Sequence, residues 1–162
     1  MGKNKLERFA ENKTFNNLFE YSFERIKEEG FPLKGRWKQD FFKNDNPIVL
    51  ELGCGKGEYT VGLARAHKDI NYIGVDIKGS RMWVGLCQAR NEGLTNVAFL
   101  RTHIELIDNF FAENEVDEIA EEENDFVEEN SDFQDLYEPN SAEAEFLENP
   151  FGDDELEEEN ES

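Results

Sequence analysis

Glu51, Gly53, Gly55 and Gly57 alternate along the stretch PIVLELGCGKGEYT (47–60), and Asp76 follows 21 residues after Gly55. Glycine at every second position strips the backbone of Cβ atoms. Main-chain N–H groups and the N-terminus of a following helix can then approach a ligand closely. A carboxylate at the distance of Asp76 is suited to accept hydrogen bonds from both hydroxyls of a ribose. A glycine loop with a distal acid is therefore equipped to read a nucleoside.

The dinucleotide fingerprint GxGxxG would need glycine at position 58, where this chain has Glu58, and the spacing here is GxGxG after an acid. Glu51 and Asp76 would repel a diphosphate. S-adenosylmethionine carries no phosphate, and its sulfonium and ammonium are attracted by carboxylates. The pattern favours S-adenosylmethionine over a nicotinamide dinucleotide. Each residue also has a purely structural reading: the glycines a tight turn, Glu51 a strand-end surface acid, Asp76 a cap on the Lys78-Gly79 bend. Cys54 reads as a small residue tolerated in the loop. His103 stands where an adenine ring would stack or bond, or simply starts a helix.

These residues need elements to hold them. Phe15, Leu18, Phe19, Phe23 and Ile26 recur at helical steps, which predicts one amphipathic helix over 14–29, ended by Gly30 and Pro32. Residues 33–46 read as a polar connector with four cations and three aromatics, suited either to nucleic acid or to a linker whose Trp37 and Phe41 pack back on the core. From residue 48 the pattern becomes βαβα. Strands are predicted at 48–52, 71–77 and 96–100, helices at 58–66, 80–92 and 103–111, and a fourth strand begins at 116–119. Alternation of this kind predicts an α/β fold with a parallel sheet and its ligand at the carboxyl ends of the strands.

Charge divides the chain. All 17 Lys and Arg lie in residues 1–116 beside 17 Asp and Glu, whereas residues 117–162 hold 21 acids and no base, and so carry the whole net charge of −21. Sparse apolar residues among like charges predict a disordered tail, or segments that fold onto a basic protein partner. Cys54 and Cys87 make no CxxC pair and His67 and His103 stand apart, which argues against a disulfide framework and a metal site. The N-terminus has no apolar stretch of signal or membrane length, so a cytoplasmic protein without membrane attachment is expected.

Five stretches, FAENKTFNNLFE (9–20), LKGRW (33–37), ELGCGKGEYT (51–60), YIGVDIKGSR (72–81) and NVAFLRTHIELID (96–108), resemble bacterial tRNA (guanine-N7)-methyltransferases. The resemblance implies a Rossmann-like class I methyltransferase sheet and S-adenosylmethionine as methyl donor to a guanine in the tRNA variable loop. It also implies cofactor contacts from Glu51, Asp76 and His103, added to those of Gly53, Gly55 and Gly57. Lys78 and Arg81, with Lys34, Arg36 and Lys38, are the basic groups expected to face RNA.

At Ala120 the chain leaves the family pattern, which continues into a Phe-Pro-Asp-Pro segment that supplies a carboxylate near the guanine; here the sequence reads VDEIAEEENDFVEEN. No catalytic acid is therefore assigned, the sheet is expected to be incomplete, and the strand carrying the glycine loop is expected to be an open edge. The organisation expected is an N-terminal helical extension and linker (1–46), a cofactor-binding half-domain (47–119) and an acidic tail (120–162). A methyltransferase-like interaction protein, or a tail produced by a frameshift or fusion, is the alternative to an active enzyme.

Overall fold

The structure, a computed structural model, describes residues 3–120. Five strands form one parallel sheet in the order β1-β4-β3-β2-β5: β1 is Leu18–Glu20, β2 Ile48–Leu52, β3 Asn71–Asp76, β4 Val97–Arg101 and β5 Glu118–Ala120. The three central strands are buried on both faces, and accordingly read as nearly unbroken apolar runs. Alternate side chains separate into two cores. Val49, Tyr72, Val97 and Phe99 pack under the helices α3 (Glu58–Ala66) and α4 (Gly79–Glu92), together with Val61, Met82 and Leu86. Ile48, Leu50, Ile73, Val75 and Leu100 pack on the other face against Ile26, Trp37 and Phe110.

Residues 14–29 are not one helix. The chain turns at Phe15, runs as β1 beside β4 with Leu18 opposite Phe99, and becomes helical only in α2 (Phe23–Glu29), capped by the Ser22 side chain. Leu18 joins the α4-side core and Phe19 the opposite one. Neighbouring residues that part to opposite faces are a strand property, and the pairing partner lies some eighty residues away, beyond any local pattern.

The connector expected at 33–46 is also structured. Trp37 is fully buried, its indole N–H donates to the Phe110 carbonyl at 2.9 Å, and a π-helical turn runs from Trp37 to Phe42. Phe41 packs edge-on to Trp37, so the aromatics of this segment belong to the core. After β4 a 3-10 turn, Ile104–Asn109, stands where a full helix was expected. The strand bearing the glycine loop is not an open edge: β5 pairs with it from Val49 to Glu51, and Asp117 accepts the Ile48 N–H at 2.8 Å. The residues expected to form the acidic tail lie, from 121 onward, outside the described residues.

One helix escaped the sequence reading. α1 (Lys5–Asn12) starts with a capping box in which Asn4 and Glu7 exchange side-chain and backbone bonds, and it lies against α4. Glu11 joins the two helices by accepting hydrogen bonds from Trp83 Nε1 (3.1 Å), Arg90 Nη2 (2.7 Å) and Lys3. The bond from Lys3, then those from Trp83 and Arg90, hold its carboxyl at about 2, against an ordinary 4.5.

Because that native value lies below the unfolded one, Glu11 contributes its stabilisation in full above about pH 4.5 and loses it as the pH falls toward 2. Urea unfolding from pH 7 to pH 2.5 should show Glu11→Gln less stable than wild type at pH 7, with the gap closing through that window. A gap that stays constant with pH would show that the carboxylate's ionisation is not what joins the helices.

Candidate functional site

The loop between β2 and α3 lies flat on the sheet because Phe99, at the centre of β4, has glycine on three sides. A Cβ at Gly57 would come within 2.5 Å of its ring, and Cβ atoms at Gly74 and Gly85 within 2.9 Å. Gly85 also donates its N–H to the Lys56 carbonyl at 2.8 Å, which ties α4 to the loop. Gly74 interrupts a strand and Gly85 a helix, and isolated glycines in such places are the sequence signal for close backbone approach.

The loop's amides point inward. Gly53 and Cys54 both donate to the Val75 carbonyl (2.7 and 3.0 Å), Gly57 donates to Cys54 O (2.9 Å), and Gly55 donates to Asp76 Oδ2 (2.9 Å). Four of the five N–H groups from Gly53 to Gly57 are thus engaged inside the protein, so the loop is no phosphate cradle. The glycines serve close packing at Gly57 and, at Gly53, an exposed backbone with φ +75° and no neighbour within 4 Å of where a Cβ would stand.

Asp76 ends β3 half-buried. Its second oxygen accepts the Lys78 N–H at 3.0 Å, and its main-chain carbonyl accepts Thr102 N–H. One backbone donor on each carboxylate oxygen fixes the group while leaving lone pairs for two further donors. The cap on the Lys78 bend and the ribose reading are therefore compatible.

Glu51 is 2% exposed and accepts a hydrogen bond from the Thr60 hydroxyl, so it lies beneath the loop and ties α3 to β2 rather than standing at the strand end as a surface acid. Cys54 is buried in the α4-side core. His103 is half-buried and precedes the 3-10 turn with extended backbone, at the carboxyl end of β4. Lys78 and Arg81 follow β3, and the Arg81 guanidinium is 3.9 Å from the Cβ position of Gly55, at the lip of the loop. Of the other cations, Arg36 is bonded to Asp40 and Lys38 pairs with Asp117 at 3.6 Å, near the opposite end of the sheet's strands. A cleft of about 500 Å³ on the opposite face takes its polar rim from Lys34, Asp108, Glu113 and Asn114, so its lining contains none of the loop residues.

The geometry thus offers a bare loop, a fixed carboxylate and a buried second acid at the carboxyl ends of a parallel sheet. Residues 45–121 match a family model described as "Putative methyltransferase". A tRNA (guanine-N(7)-)-methyltransferase of Bacteroides fragilis is 60% identical over 119 residues, which is 74% of this chain and 47% of that protein. Those of Bacteroides thetaiotaomicron and Christiangramia forsetii are 58% and 62% identical, over 74% and 72% of this chain. Over this stretch the chain belongs to the tRNA (guanine-N7)-methyltransferase family. It spans about half the length of the curated relatives it matches.

Two loop glycines should respond differently to alanine. Gly57→Ala forces a Cβ into Phe99 at a positive φ and should cost about 3 kcal/mol, from overpacking and backbone strain together. Gly53→Ala adds only the strain, about 1 kcal/mol. Urea unfolding of the two variants checks the order, and equal losses would mean that Phe99 does not set the height of the loop.

Proposed function

We propose that this chain binds S-adenosylmethionine between the Gly53–Gly57 loop and Asp76, and that it serves methyl transfer to guanine N7 of tRNA. The observation that carries the reading is the Gly55 N–H to Asp76 bond, which joins loop and carboxylate into one unit while using up the amides a diphosphate would need. The family membership of residues 45–121 supports the same cofactor class. The names of the relatives support tRNA as substrate.

The residues fit the cofactor. Asp76 accepts the two ribose hydroxyls on its remaining lone pairs, the exposed Gly53 backbone lets the ligand lie close, and His103 borders the adenine end. Glu51 acts from beneath: buried and bonded to the Thr60 hydroxyl, it holds α3 against β2 under the loop. When bound, S-adenosylmethionine supplies an electrophilic methyl on a sulfonium. N7 of guanine carries a free lone pair at neutral pH, so the protein's task is to hold the base in line, and positioning supplies most of the rate. Lys78 and Arg81 border the loop and present cations to the RNA backbone, which gives binding there a steep salt dependence. No helix among the described residues is long and apolar enough to cross a membrane. The proposed site of action is the cytoplasm, where tRNA resides.

Titration calorimetry on the full chain tests the cofactor. Wild type should bind S-adenosylmethionine and not NAD, and Asp76→Asn should weaken binding at least about tenfold, the scale of a lost charge-assisted hydrogen bond. A folded wild type that ignores S-adenosylmethionine, or takes NAD equally well, would defeat the proposal. Transfer of labelled methyl to tRNA, scored at guanine N7, tests the reaction separately.

A further inference from the structure

The turn that carries Asp76 is held from behind by side chains of residues 8–20 and by Arg101. By strand register Glu20 of β1, Arg101 of β4 and Asp76 of β3 form one row across the sheet, an acid, a base and an acid directed to the α4 face. Arg101 is only 1% exposed; its Nη1 is 3.6 Å from Glu20 Oε1 and its Nε donates to the Ile77 carbonyl at 3.2 Å. Two side chains of α1 grip the next carbonyls. Asn12, itself 2% exposed, donates to Gly79 O at 2.9 Å, and Arg8 donates to Ser80 O at 3.3 Å. The turn sits flush on this frame: a Cβ at Gly79 would stand 3.0 Å from Glu20 Oε1 and 3.1 Å from Arg101 Cδ.

Burying a guanidinium is a poor route to stability, because desolvation offsets much of the ion-pair attraction and an apolar side chain of similar volume generally does as well. What an apolar side chain cannot do is donate to Ile77 O. A hydrogen bond there, next to bonds at Gly79 and Ser80, fixes the plane of the peptide units that follow Asp76. With Gly55 and Lys78 bonding its two oxygens, that fixes the carboxylate.

We propose that Arg101, backed by Glu20 and Asn12, is a positioning residue for the cofactor's ribose: it locks the Ile77–Ser80 turn so that Asp76 meets both hydroxyls without reorganisation. The inference rests on the reading of Asp76 as the ribose carboxylate. It makes the N-terminal segment part of the cofactor site, although none of its residues need touch the ligand.

The test measures, on the full chain, dissociation constants for S-adenosylhomocysteine and for its analogue lacking both ribose hydroxyls, together with thermal melts. Wild type should prefer the hydroxylated ligand. Arg101→Met should bind it about tenfold more weakly and Asn12→Ala about threefold, the scale of one loosened polar contact, while affinity for the deoxygenated analogue stays unchanged. A lower melting temperature with the preference intact makes the frame merely structural and overturns the proposal. If Arg101→Met does not fold, Asn12→Ala decides by the same criterion. Asp76→Asn separates the two levels. If it abolishes the preference while Arg101→Met and Asn12→Ala keep it, only the positioning role falls; if Asp76→Asn keeps it, the ribose reading falls and takes the positioning role with it.

Discussion

Phe99 needs a large flat space in the middle of the sheet, and three other segments can approach it only by giving up their Cβ atoms. Gly57 brings the loop down, Gly74 opens the neighbouring strand, and Gly85 lets α4 come close enough to bond Lys56 O. The ring is completely buried and dense packing transmits its shape to everything above it. The loop's height, the inward direction of its amides and the reach of Gly55 to Asp76 all follow from that contact. A larger residue at any of the three positions would lift the loop away from β3.

The electrostatic character of the site is a consequence of the same packing. Amides that might have faced an anion are spent on Val75, Cys54 and Asp76, so what remains at the surface is bare backbone and carboxylate. On the proposed reading such a surface disfavours phosphates and welcomes a sulfonium. Cations stand at the rim, where Arg81 reaches the lip of the loop and Lys78 starts the turn after Asp76, the place at which the proposed RNA substrate would meet them.

Parts of this arrangement were legible in residue order and parts were not. The βαβα section from Ile48 to Arg101 was, because each strand is a short apolar run between turn residues and each helix keeps one apolar stripe. Residues 3–42 were legible only in part: the helix end at Gly30 was, and the strand β1 was not. Phe15, Leu18, Phe19, Phe23 and Ile26 have helical spacing, yet Leu18 and Phe19 serve opposite faces of the sheet, and their partner strand is β4. Long-range pairing overrode local periodicity there. For 33–46 the residue order left two readings open, and the core packing of Trp37, with its indole bonded to the Phe110 carbonyl, decides for the one in which the aromatics pack back. The capping box at Asn4 and Glu7 was a legible sign of α1 that apolar periodicity alone passes over.

At the site, the types and spacing of Glu51, Gly53, Gly55, Gly57 and Asp76 were legible in the sequence by themselves, and a glycine loop flanked by acids, without glycine at position 58, favours a ligand without a diphosphate. Spacing along a chain is a local property, and local chemistry can be read from it. Which atoms are free cannot. That Glu51 lies beneath the loop, that the loop amides turn inward, that β5 covers the glycine strand and that Arg101 braces the Asp76 turn were decided only when segments distant in sequence came into contact. Hydrogen-bond partners and burial are properties of those contacts, and no residue carries them by itself.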